Sequence, residues 1–445
     1  MLNYIWLGLI LAAVLMGGAT GHLKELTDGA FASTKSAVDL AVGLIGIMAL
    51  WLGIMRLAEK SGMVRVLARV LRPVLRLLFP DIPAEHPALG AMVMNIASNM
   101  LGLGNAATPL GLRAMQQLDR LNPHPGTATN AMCTFLAINT SSVQLIPATA
   151  VGILAAAGST NPTAIIGTAL AATSCAALAA IIAVKIFERL PFFAVPENAA
   201  VTGGEVTKPG EPAPEEQEEA APHPLRWWGG PVLGLFAAAF VCWFVLDVFY
   251  PGAWGRPLPA GSLGAGWVRA VSIASTLAIP FIISFFPLYA FARGVKVYEE
   301  FVEGAKEGFN VAVRIIPYLV AILVAMGMFR AAGGIQMLAQ WLGPVLNRIG
   351  FPADLLPVVL VRPLSGGATI GLFAELVKAH GPDSFIARTA GTILGSTETT
   401  FYVLAVYFGS VGIRSTRHAV LAGLTADLTG VVVSFMICRA VFSGP

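Results

Sequence analysis

Nine times along this chain a run of about 20 residues passes with almost no charge, near the length a helix needs to cross the hydrocarbon of a bilayer. The runs fall at 3–20, 37–55, 131–153, 163–186, 230–250, 268–291, 310–329, 387–409 and 418–440. In lipid such a segment must satisfy its own backbone hydrogen bonds, which a helix does. Composition agrees. Apolar types make up 56% of the 445 residues and charged types only 12%, against roughly 25% charged in a soluble domain. The net charge of +3 is small and dispersed, which argues against a nucleic-acid partner. Four Cys without CxxC spacing suggest neither a disulfide framework nor a zinc site. The expected fold is all-α and polytopic, with the bilayer as its surroundings. Residues 3–20 lack a basic leading segment and a clear cleavage site, so they are expected as a retained helix.

Two further apolar stretches do not fit a span. Residues 88–112 carry Asn95, Asn99 and Asn105 among glycines, and 353–377 carry Arg362, Pro363, Gly366 and Gly367 at the centre. Freed backbone groups there would have no partner in lipid, so each is expected as a re-entrant helical hairpin buried in protein. Residues 61–79 place Arg65, Arg69, Arg72 and Arg76 at i, i+4, i+3, i+4, on one helix face. Residues 335–348 repeat the stripe with Gln336, Gln340 and Asn347. Both are expected to lie flat in the interface. Residues 193–227, rich in Glu and Pro, read as a disordered acidic cytoplasmic linker. With the N-terminus inside, the greater part of the 28 Lys and Arg falls on inner loops and inner helix ends.

The linker divides the chain into two similar halves, 1–192 and 228–445. LRPVLRLLFP at 71–80 parallels LGPVLNRIGFP at 342–352. Each half then runs span, flat helix, hairpin, span, span. Counted from the opening helix of the first repeat, 37–55, five spans precede the opening helix of the second, 310–329. Five is odd, so the second repeat enters from the opposite side: an inverted-topology repeat, the architecture of secondary transporters with a midplane site.

The motifs NIASNMLGLGNAATPLG (95–111), FLAINTSS (135–142), RPLSGGATIG (362–371) and GSTETT (395–400) resemble those of the spore-maturation A and B membrane proteins, here fused in one chain. Those belong to the group with nucleoside-recognition, or Gate, domains, which also covers the cores of concentrative nucleoside transporters and ferrous-iron transporter membrane domains. The resemblance covers nearly the whole chain. It implies an A-like first half, a B-like second half and a bacterial inner-membrane location.

Polar residues at span centres and hairpin tips are the candidate solute-binding set: Asn95, Asn99, Asn105, Asn139, Thr140, Ser141, Arg362, Ser365, Thr369, Ser396, Thr397, Glu398 and Thr399. The run Ser396 to Thr400 wraps right around a helix, so either that helix is broken or protein surrounds it. An intramembrane carboxylate is costly and marks a pathway; Glu398 is an ion-coupling or ligand group, or else a structural Glu bonded to the hairpin. Asn139 to Ser142 bind solute or glue helices together. The hairpin Asn residues bind solute or cap the turn. Arg362, beside a Gly-rich helix N-terminus, suits an anion, or pairs with Glu398. Asp427 in the last span carries a proton or cation, or only packs.

No Walker A, HExxH or G-x-S-x-G motif occurs, so neither a cofactor nor an enzyme is expected. The leading expectation is a secondary-transporter-like protein moving a small polar or anionic solute, coupled to H⁺ or Na⁺. The alternative is a non-transporting scaffold or regulator in envelope or spore-cortex maturation. Self-association into a homo-oligomer is compatible with both.

Overall fold

The computed structural model describes residues 2–83, 86–102, 104–193, 224–250, 266–334 and 350–442, with 337, 341 and 348 between the last two ranges. Among the described residues the protein is all-helical, its one departure a single bridge between Thr127 and Ser415. The first part contains α1 (Leu2–Thr20), α2 (Leu23–Lys60), α3 (Met63–Leu78), α4 (Pro87–Met100), α5 (Gly104–Arg120), α6 (Asn130–Ser141), α7 (Ala148–Ala156) and α8 (Ile165–Phe187). The second contains α9 (Gly229–Phe249), α10 (Gly266–Ala292), α11 (Val297–Ala331), α12 (Leu356–Val361), α13 (Gly366–His380), α14 (Phe385–Ser396), α15 (Thr400–Gly409) and α16 (Ala419–Phe442).

Among the described residues five helices are long and apolar enough to cross a membrane: Leu23–Lys60, Pro162–Phe187, Gly229–Phe249, Gly266–Ala292 and Ala419–Phe442. Two of the expected runs are not continuous. The run at 131–153 is interrupted between α6 and α7, and the run at 387–409 between α14 and α15. Both interruptions sit on the polar clusters, where hydroxyls compete for backbone groups. Two others are longer than their apolar cores. Helix α2 begins at Leu23 rather than 37, and α11 at Val297 rather than 310. Hydropathy marks where lipid begins, whereas backbone hydrogen bonding carries each helix on through charged residues.

The helix starts follow their capping residues. Thr129 accepts from the Met132 N–H at 3.2 Å, Ser365 from Ala368 at 3.2 Å and Ser384 from Ala387 at 3.1 Å. Each oxygen satisfies a donor the helix leaves orphaned. Pro87 opens α4 behind His86, whose Nδ1 accepts from Ala88 at 3.2 Å.

Corresponding elements of the two halves pack antiparallel. Along α2 and α11, a Cβ built at Gly308 would meet Ala49, one at Gly304 would meet Leu52, and one at Gly327 would meet Ser33. Arg56 near the end of α2 pairs with Glu300 near the start of α11 at 2.8 Å. In the broken helices, the Phe135 ring stacks on Tyr407 with centroids 5.9 Å apart, while Pro147 sits against Gly395. Helices α8 and α16 are likewise antiparallel: Ala176 faces Gly430, and Thr168 and Cys438 both bond Thr392. The main apolar core lies between the halves, drawing on Leu44, Met92, Phe135, Ile153, Phe373 and Phe408.

The stretch expected as the acidic linker lies, from 194 to 223, outside the described residues, as does most of the flat helix expected at 335–348. Helix α3 occupies the first flat-helix position and packs on α4.

Candidate functional site

The two helix interruptions meet. The Glu398 N–H, in the second break, donates to the carbonyl of Thr140 in the last turn of α6 at 2.8 Å. Each break also touches the helix pair of its own half. Leu145 N–H donates to Met100 O at 2.9 Å, where α4 turns into α5, and Phe401 N–H donates to Pro363 O at 3.0 Å, between α12 and α13. The two bonds are counterparts, and they make Asn99 and Arg362, each one residue earlier, counterparts too.

What those counterparts touch differs in charge. Asn99 Nδ2 donates to Asn139 Oδ1 at 3.0 Å, and Asn139 Nδ2 to the Phe135 carbonyl at 2.9 Å. On the other side, Arg362 Nη2 donates to the Leu394 carbonyl at 3.0 Å and stands 4.0 Å from Glu398 Oε2. A guanidinium on a last-turn carbonyl lies at the negative end of α14, which favours a cation there. Arg362 is buried, its side chain 5% exposed, whereas that of Glu398 is 39% exposed. Glu398 Oε1 also accepts from Gln144 Nε2 at 3.2 Å, across the two breaks. The first half therefore presents neutral amides and the second an ion pair, one member buried and one open.

Thr140, Ser141, Ser396, Thr397 and Thr399 are all buried in the crossing. The Thr173 hydroxyl is 2.9 Å from both the Ser141 and Ser142 carbonyls, covering the open end of α6. Ser142 has φ +37°, a left-handed conformation uncommon for a residue with a Cβ and often found at working sites. Asn95 Nδ2 donates to the Ala107 carbonyl at 2.7 Å, holding α5 against α4. Ser365 and Thr369 are used locally: Ser365 caps α13 and the Thr369 hydroxyl donates back to Ser365 O at 2.7 Å. The Asn105 side chain lies outside the described residues. Asp427 sits on the last helix, where its Oδ2 accepts from the Thr400 hydroxyl at 2.6 Å. Gly423 and Gly430, on the same face as Asp427, let that helix approach Thr400 and Thr397.

Sequence reasoning missed Tyr407. Its hydroxyl accepts from Asn95 Nδ2 at 3.3 Å and donates to Asn139 Oδ1 at 3.5 Å, joining a residue of α4 to one of α6. A Tyr in the run Thr400–Gly409 carries no signal of that role, since Tyr402 in the same helix is 60% exposed. Among the described residues no group of three or more His, Cys, Asp or Glu is placed to hold a metal.

Apolar membrane-length helices, antiparallel like halves and a polar crossing of two broken helices define a multi-pass membrane protein built on a repeat. The chain belongs to the nucleoside-recognition, or Gate, family, whose pattern matches residues 41–188 and 312–414. It is similar to "Spore maturation protein B" of Bacillus subtilis (strain 168), 48% identical over 175 residues, which are 39% of this chain and 98% of the relative. It is also similar to "Spore maturation protein A" of the same organism, 40% identical over 187 residues, or 42% of this chain and 95% of the relative. No solved structure matches it.

Proposed function

We propose that this protein is secondary-transporter-like and moves a small polar or anionic solute across a bacterial cytoplasmic membrane, through a site where the two broken helices cross. The observation that carries this reading is a set of polar atoms around the crossing that are buried and have no protein partner: Asn95 Oδ1, Ser142 Oγ and Arg362 Nε. Leaving such a group unsatisfied costs about 1–3 kcal/mol. A closed scaffold would pair them with one another; a binding site holds them ready for a ligand.

In this reading the chain crosses the bilayer nine times with its N-terminus inside. Helices α4–α5 and α12–α13 are re-entrant hairpins, and α3 lies flat. The antiparallel packing of α2 with α11, of α8 with α16 and of the broken helices supports an inverted repeat about an axis in the membrane plane. Residues 1–192 form the spore-maturation A-like half and 228–445 the B-like half, joined by the cytoplasmic linker. The Arg362 Nε, with the capped N-terminus of α13 beside it, attracts an anionic group. Glu398 holds a coupling proton or cation, and Asp427 a second. No step is covalent, so the protein works without being an enzyme. A second reading, a non-transporting scaffold in envelope or cortex maturation, is favoured by the relatives' names, which report spore maturation and no solute.

Arg362→Gln and Glu398→Gln separate the two. The transport reading expects each to abolish uptake or complementation while the protein inserts and purifies as a single sharp species. Variants that keep wild-type activity overturn the site. Variants that fail to fold make the charges structural and favour the scaffold.

A further inference from the structure

Helix α3 presents a surface that the transport site does not use. At about 100° per residue its 16 residues sort into three faces. Val64, Ala68 and Leu75 are buried, with Leu67, Leu71 and Leu78 packed beside them; this face meets the protein. Arg65, Arg69, Arg72 and Arg76 are exposed and share an arc of roughly 60°. A third arc of about 80° holds Val66, Val70, Val74 and Leu77, exposed by 38%, 65%, 55% and 81%. A helix covering a protein in water needs only an apolar face and a polar one. The additional exposed apolar face, next to a cationic row, fits the boundary of a bilayer: protein on one side, acyl chains on the second, phosphates on the third. Guanidinium groups pair with phosphate through two parallel N–H bonds. Arg65, Arg72 and Arg76 also have partners within the protein, but each guanidinium carries five donors and all four stay exposed. The row is about 16 Å long at 1.5 Å per residue.

We propose that α3 is a binding site for anionic phospholipid, with Val66, Val70, Val74 and Leu77 among the acyl chains and the four Arg on the headgroup phosphates. The inference stands independently of transport. It is tested with the full chain in neutral detergent, comparing phosphatidylglycerol with phosphatidylcholine by native mass spectrometry. Phosphatidylglycerol should bind at least tenfold more tightly, and added NaCl should weaken it. Each Arg→Gln change should cost roughly fivefold, while the fourfold Arg→Lys variant keeps most of the binding. Lys296→Gln with Lys306→Gln, at exposed positions on α11 and its N-cap, should change nothing. Equal binding of phosphatidylcholine overturns the proposal. So does undiminished phosphatidylglycerol binding in the Gln variants, or full competition by inorganic phosphate. If the fourfold Gln variant does not fold, Arg69→Gln with Arg72→Gln and the salt titration of the wild type decide: no loss in either overturns it.

Discussion

A buried guanidinium with one nitrogen on a helix-end carbonyl and another unpartnered has hydrogen-bonding capacity in reserve. Arg362 is in that position, and Glu398, 4.0 Å away, only partly neutralises it. Because the Glu398 side chain is 39% exposed, the pair is not fully desolvated, and its coupling belongs nearer the surface range of about 0.2–1 kcal/mol than the buried one. The Arg362→Gln/Glu398→Gln double variant should therefore be destabilised by nearly the sum of the two singles, with only a small coupling in thermal unfolding, and should transport as little as either. Uptake by the three variants, measured beside their unfolding curves, checks both. Asn99, Asn139, Arg362 and Glu398 were legible in the sequence because polar residues at the centre of an apolar run are expensive and stand out. Tyr407 was not, because a phenol is at home in an apolar helix and only its neighbours reveal what its hydroxyl touches. Ser365 and Thr369 read as binding residues, yet they serve the start of α13. Composition alone does not separate a cap from a ligand.

Helix α6 has 12 residues and α7 has 9, and α14 and α15 have 12 and 10. Each is well short of the roughly 20 needed to span, so each pair depends on its break for both reach and polarity. The break in 387–409 was one of two outcomes the polar run allowed. What the sequence did not disclose is the face of α16 that fits it. A Cβ at Gly430 would stand 2.6 Å from Thr397 Cγ2. Gly430→Ala should thus push α16 away from the break, costing about 1–3 kcal/mol by overpacking and reducing uptake. Gly18→Ala on α1, with nothing within 4 Å, should leave thermal unfolding and uptake unchanged. At the loops between elements, Asp383 ties the two halves. It accepts from the Ser159 hydroxyl at 2.6 Å, from the Thr160 N–H and hydroxyl at 2.9 and 2.8 Å, and from Arg388 at 3.2 Å. Slight burial pushes its pKa up, but these donors outweigh that and hold it below the ordinary carboxylate range. A depressed folded-state pKa means stability that is present above the unfolded value near 3.8 and is lost as pH falls below it. As pH falls from about 5 to about 2, unfolding midpoints should therefore drop more steeply in the wild type than in Asp383→Asn, which has already lost the contribution at neutral pH.

The repeat was legible because two features survive in a single sequence, the LRPVLRLLFP and LGPVLNRIGFP segments and the paired polar runs. Their antiparallel packing was only inferred there, from an odd number of crossings. In the protein the relation lies in contacts far apart in sequence, such as Phe135 with Tyr407 and Arg56 with Glu300. Opposite membrane sides for α3 and for the neighbourhood of Trp341 follow from the inverted reading. With the four native Cys replaced, Arg69→Cys should react with an impermeant maleimide only after cells are opened, and Trp341→Cys, exposed by 72%, in intact cells. Labelling of both from outside removes the inverted repeat and transport with it. A solute that binds where the two broken helices cross should stabilise the fold through Arg362. This is read from the unfolding temperature of the purified protein against nucleosides, dicarboxylates, amino acids and cell-wall precursors, for wild type and Arg362→Gln. A ligand at 100 times its Kd stabilises the folded state by about 2.7 kcal/mol. One solute class should raise the wild-type midpoint by several degrees and leave Arg362→Gln unmoved. Equal shifts in both proteins, or none with any class, would contradict the account.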